Sequence, residues 1–156
     1  MSMRLNHRFR RLVFAQILLG ILSFCIAERN PGMLLIAGAL AVMSWYLTEG
    51  PTGKALPRWL INLASLGAVG WLMFDLFGRS GQVVVAMGHF TMWLQVMLLY
   101  TEKSNREYGQ LLVLSLMTMI GASILSVSMV YGLLLGAYCV LGLVTLLYFH
   151  FKVTWD

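Results

Sequence analysis

Ionisable side chains inside apolar stretches are the residues here with chemistry to offer, because a charge or an imidazole at membrane depth is retained only where something pairs with it. Two stand out. His89 lies about two turns into the apolar run 83–100, with Gln95 further along, and Asp75 lies just before Phe77 at the end of the run 59–77. Asp75 is placed to reach interfacial water or to pair with Arg79, one helical turn on. Three roles are open to His89: a hydrogen bond to another side chain within a bundle, axial ligation of a metal or tetrapyrrole, or a step in a proton path shared with Asp75. The first predicts that His89→Gln is nearly silent, since an amide still offers a donor and an acceptor.

Covalent catalysis finds no set of residues to carry it. A nucleophile, a base and an orienting group must converge in a watered site, yet Cys25 and Cys139 both sit inside apolar runs and His7, His89 and His150 are scattered. CxxC, HExxH, GxSxG and P-loop motifs are absent from the sequence. No catalytic residue, metal site or cofactor is therefore predicted, His89 as a ligand being the one exception. The cysteines read as small hydrophobes. A disulfide between them is not expected, with Cys25 toward the outer leaflet and Cys139 near mid-membrane.

The elements that must position these residues follow from composition. Hydrophobic residues make up 60% of the 156, charged residues 11%, and the mean hydropathy is +0.81. A soluble domain of this length needs more charge to cover its surface, so lipid must cover much of this one. The sequence predicts an all-α, polytopic transmembrane bundle forming one domain over residues 1–156. Its six helices fall near 12–27, 33–47, 59–77, 83–100, 111–130 and 131–151. The first two are short for a hydrocarbon layer about 30 Å thick; arginine snorkelling at the first and Trp45-Tyr46 at the second extend their reach.

The breaks carry recognisable turn chemistry. Asn30-Pro31 supplies a capping side chain and a first-turn proline for the second helix. Gly50-Pro51-Thr52-Gly53 reads as a turn, with Pro57 opening the third helix, and Gly78-Arg79-Ser80-Gly81 as a tight connection. Thr101 to Gln110 is the longest charged loop. The last break, 126–132, has no charge, so helices five and six are either joined by a very short turn or form one bent element.

Net charge is +5, but its placement points to lipid and not to nucleic acid. Arg4, Arg8, Arg10 and Arg11 directly precede the first apolar run, with Phe9 the one aromatic and no glycine among them. Glu28-Arg29-Asn30-Pro31 follows that run where a signal peptide would have a small-residue cleavage site, so it reads as an uncleaved anchor. With the N-terminus in the cytoplasm, Arg4, Arg8, Arg10, Arg11, Lys54, Arg58, Lys103, Arg106 and Lys152 lie inside and only Arg29 and Arg79 outside. Both termini are then cytoplasmic.

Small residues let helix backbones approach in lipid. Gly132 and Gly136 form a GxxxG pair on the sixth helix; Ser115, Thr118, Ala122 and Ser126 line one face of the fifth; Gly67 and Gly70 mark a patch on the third. These predict contacts within the bundle or, for the GxxxG pair, a dimer face.

From Phe77 onward the sequence resembles the N-terminal membrane domain of bacterial transglutaminase-like proteins of the TgpA type. The resemblance is carried by the glycine turn at Phe77-Gly78, an apolar helix, Lys103, Arg106-Glu107, and a leucine-rich helix closing on Ser126 and Ser128. Val127 stands where that family often has glutamine. The preceding helices fit in number and spacing. The resemblance implies a bacterial cytoplasmic membrane and a non-catalytic anchor or scaffold for an extracytoplasmic papain-fold domain with a Cys-His-Asp triad. None of the triad residues has a matching position here. An external domain needs an odd number of spans, so a seventh helix would be required. Either the chain is the front of a longer protein, or it is an accessory structural subunit of a larger membrane complex, one that could bear pigment or haem near His89.

Overall fold

The structure, a computed structural model, describes residues 3–48, 56–78, 82–101, 105–126 and 128–155. They form six helices and, among the described residues, no strand: α1 (Met3–Glu28), α2 (Pro31–Thr48), α3 (Arg58–Gly78), α4 (Val83–Leu99), α5 (Asn105–Leu125) and α6 (Met129–Trp155). Five are long and apolar enough to cross a membrane; α4, with 17 residues, is apolar but shorter. The predicted all-α multi-pass bundle is the fold observed.

The main shift in boundaries is in α1. It begins at Met3 and carries Arg4, Arg8, Arg10 and Arg11 on helical backbone ahead of the apolar run. Its other end is capped without glycine. Arg29 takes φ 60°, the Asn30 N–H donates to the Cys25 carbonyl and the Arg29 N–H to the Ile26 carbonyl, so the helix closes directly after Glu28. The Asn30 side chain then accepts from the Met33 N–H at 3.2 Å and starts α2, as the sequence predicts. Ser126 and Ser128 mark the separation of α5 from α6: the Ser128 hydroxyl accepts from the Tyr131 N–H at 3.3 Å. The loop residues 49–55, 79–81 and 102–104, and Val127, lie outside the described residues. With them lie the Gly50–Gly53 turn, Lys54, Arg79 and Lys103.

α1 is the hub. Phe9, Val13, Ile17 and Ile21 recur every four residues and are enclosed, while Gln16, Gly20 and Ser23 are buried on an adjoining face. α5 packs most extensively on α1 and also on α4; α6 lies along α1, and although it follows α5 in the chain the two backbones approach little and meet through the Tyr131 and Tyr138 hydroxyls. Close approach uses small groups. The Ser115 hydroxyl donates to the Gln16 carbonyl at 3.3 Å and lies against Gly20; Ser115, Thr118 and Ala122 are fully enclosed, and Ser126 partly so. α2 presents Ala37, Ala41 and Ser44 inward. Tyr100, just after α4, ties the middle of α2 to the segment entering α3, its hydroxyl donating to the Leu40 carbonyl and its carbonyl accepting from the Leu56 N–H.

The glycine expectations need correction. Gly132, Gly136, Gly67 and Gly70 have open space where a Cβ would stand, so neither the GxxxG pair nor the α3 patch makes a contact within the chain. They lie on helices whose outer faces also carry Leu133, Val140, Leu66 and Phe74 to the surroundings. Gly136→Leu is accordingly expected to leave thermal unfolding of the purified chain in detergent within about 0.5 kcal/mol of wild type. A clear loss of stability would show that the α6 face is packed after all.

Candidate functional site

At the end of the bundle formed by the α1–α2 and α3–α4 connections, three ionisable side chains from three helices meet. His89 on α4 sits between Glu28 on α1 and Asp75 on α3. Its Nε2 lies 2.7 Å from a Glu28 carboxylate oxygen and its Nδ1 3.0 Å from an Asp75 oxygen. The imidazole is 3% exposed, the Asp75 carboxylate 4% and the Glu28 carboxylate 11%. A cavity of about 470 Å³, bordered by Glu28, Gln82, Val83 and Ile124, adjoins the most exposed member.

The two carboxylates sit against their own helix dipoles: Glu28 closes α1 and Asp75 lies in the last turn of α3, each at the negative end, while His89 lies beyond the first turn of α4. Mutual pairing must therefore supply the stabilisation. With both ring nitrogens facing carboxylate oxygens, the ring either donates to both as imidazolium, or donates to one and accepts from a protonated carboxyl at the other. Either arrangement carries one net negative charge, so the two differ only in where a proton sits.

Phe24 seats the cluster. It is fully enclosed and stands edge-on to the imidazole, with ring centroids 5.9 Å apart and planes at 76°. Its ring lies in a slot between two glycines. A methyl group at Gly88 would overlap the tip of the ring, and one at Gly121 would stand 3.5 Å from it. Gly88 thus lets α1 approach α4 closely enough for Glu28 to reach His89 on the next residue.

Asp75 does not reach out to the interface as the local spacing suggests: it is buried and bonded to His89, while Arg79 lies outside the described residues. The ligand role for His89 does not fit this geometry either. Both nitrogens are engaged by carboxylates, so neither is left for a metal or a tetrapyrrole. Because the carboxylates lie on opposite sides of the ring, the three groups do not converge on one point. Among the described residues no group of three or more His, Cys, Asp and Glu could hold a metal ion. Of the other singled-out residues, Gln95 is enclosed and donates to the Thr118 hydroxyl at 2.9 Å, and His7 and His150 are exposed and far along the chain from the cluster. Cys25 is buried, its thiol 3.9 Å from the Met92 sulfur; Cys139 is exposed and both are free thiols.

Glu28 is the member that sequence reasoning passed over. Its signal is a carboxylate in the last turn of a helix with no basic residue in that turn, which is unfavourable unless a cation arrives from elsewhere. No family model, curated protein or solved structure matches the chain.

Proposed function

We propose that this chain is a non-catalytic membrane anchor or scaffold, of the kind found at the front of transglutaminase-like membrane proteins, lying in a bacterial cytoplasmic membrane with its N-terminus in the cytoplasm. One observation carries the non-catalytic part: both nitrogens of His89 are consumed by carboxylates on other helices. A general base needs one nitrogen free to face its substrate. The arrangement is suited instead to fastening α3, whose buried residues are only Ala68 and Asp75, to the hub helix through α4. With nine of eleven lysines and arginines assigned to the cytoplasmic side, the fastened end lies toward the outer face, where an extracytoplasmic domain would be carried.

The second reading is an accessory structural subunit of a larger membrane complex, without haem on His89. The open glycine pair on α6 favours it, since such a pair suits close contact with a helix outside this chain.

A photo-crosslinking residue at Leu133 on α6, or at Leu63 on α3, tests both readings in native membranes; each site is well exposed. Discrete protein adducts are expected, together with no amide hydrolysis or isopeptide formation by the purified chain in liposomes. Lipid adducts alone at both sites, or turnover by the purified wild-type chain, would overturn the proposal.

A further inference from the structure

Among the described residues α3 and α5 both pack on α4, but their backbones do not approach each other, so a gap runs between them with α4 as its floor. At one end of this gap α3 starts, α4 ends and α5 starts, and the Leu56 N–H donates to the Tyr100 carbonyl at 3.1 Å. The gap holds a cavity of about 580 Å³ whose floor on α4 is apolar, with Leu94 and Leu98. On its α3 side the Ser65 hydroxyl is already spent, donating to the Ile61 carbonyl at 2.9 Å. Its α5 side carries Arg106, Gln110 and Leu114, which recur at every fourth residue and so share one stripe of the helix. The stripe grades from a cation at the mouth, through an amide, to hydrocarbon. Arg106 and Gln110 are exposed, so an occupant of the groove can reach both. Among the described residues no carboxylate pairs with Arg106.

Depth decides between the kinds of occupant. From Arg106 to Leu114 is about 12 Å at 1.5 Å per residue, less than half of a hydrocarbon core about 30 Å thick. A partner helix crossing the membrane needs an open side through both leaflets, whereas a lipid acyl chain needs one. The cation decides the headgroup. A guanidinium at the interface offers parallel donors that match phosphate oxygens, and a lipid of net negative charge brings no cation to oppose it. We infer that the α3–α5 groove is a binding site for one anionic phospholipid, its phosphate on Arg106 and the Gln110 amide and an acyl chain lying along Leu114 and Leu94. This goes beyond the scaffold reading and does not depend on it, since it needs only that the bundle stands in a bilayer.

The test uses the full chain in bilayers of equal parts phosphatidylglycerol and phosphatidylcholine. A photo-crosslinking residue replaces either Leu94 in the groove or, as the reference, Leu147, which is exposed on α6. The mass of each lipid adduct identifies its headgroup. Phosphatidylglycerol is expected to be enriched at Leu94 over Leu147 by about five-fold, the effect of one basic residue beside anionic lipid. Arg106→Gln is expected to bring Leu94 to the Leu147 ratio without lowering the unfolding midpoint in detergent, as for a surface substitution. Equal enrichment at the two positions, enrichment at Leu94 that survives Arg106→Gln, or no lipid adduct at Leu94 would each overturn the inference. So would adducts at Leu94 that join two copies of the chain, or a clear loss of stability in Arg106→Gln, which would make the guanidinium part of the packing.

Discussion

Replacing His89 with leucine is expected to lower the stability of the purified chain by about 3–5 kcal/mol, the range for removing one partner of a buried ion pair. The two carboxylates at 2.7 and 3.0 Å from the ring would be left facing each other across an apolar gap. Glutamine does not replace the ring, which overturns the near-silent outcome that the sequence alone suggests. Its amide has donors on one side only and would present an oxygen to one of the carboxylates, so His89→Gln is expected to fall between wild type and leucine. The decisive comparison is His89→Leu combined with Glu28→Gln and Asp75→Asn. With the charges removed together, most of the loss should be recovered, because it comes from carboxylates stranded in a poorly solvated place. Unfolding midpoints in detergent across the set would measure this. If the triple variant is as unstable as the sum of its parts, the three residues act independently and the cluster is not a unit.

Gly88→Ala should cost about 1–3 kcal/mol, the usual penalty for forcing a methyl into a packed interior. The added Cβ overlaps the Phe24 ring, which is fully enclosed and backed by Gly121, so the ring cannot swing aside cheaply. Whatever moves will also part Glu28 from His89, since Phe24 and Glu28 lie one turn apart on α1. Pairing Gly88→Ala with Phe24→Leu, which shortens the obstructing side chain, should recover part of the loss. Recovery would appear as a coupling energy in a double-mutant cycle. A cycle with no coupling would show that the glycine matters for some reason other than the ring.

The helices were legible because each break has its own local chemistry. Asn30-Pro31 can be read from a few neighbouring residues, and membrane length constrains what lies between the breaks; the charged stretch expected to be a loop from Thr101 to Gln110 is helical from Asn105. The start of α1 was misplaced for the same reason: apolar periodicity begins at Leu12, whereas helical backbone continues through the arginines before it. The cluster was only half legible. His89 and Asp75 are conspicuous as ionisable residues in apolar runs, but the partners they find are 61 and 14 residues away along the chain. Local spacing offers Arg79 to Asp75 and nobody to His89. Glycines failed in both directions: Gly132 and Gly136 match a packing pattern and touch nothing, while Gly88 and Gly121 match no pattern and enclose a ring. Which glycine is needed depends on which helix faces it, and that is a property of the tertiary arrangement.

The hub position of α1 reverses the order of synthesis and the order of packing. α1 enters the membrane first, yet its main neighbours, α5 and α6, are made last. Through most of biosynthesis the face bearing Gln16 and Gly20 has no permanent neighbour, and Glu28 waits for a histidine 61 residues downstream. Such a helix must be stored in a half-finished condition, beside water, lipid headgroups or the insertion machinery, until the chain ahead of it is complete. The packing around α1 is therefore expected to close late, once α4 has brought His89 to Glu28 and α5 and α6 have reached the first helix.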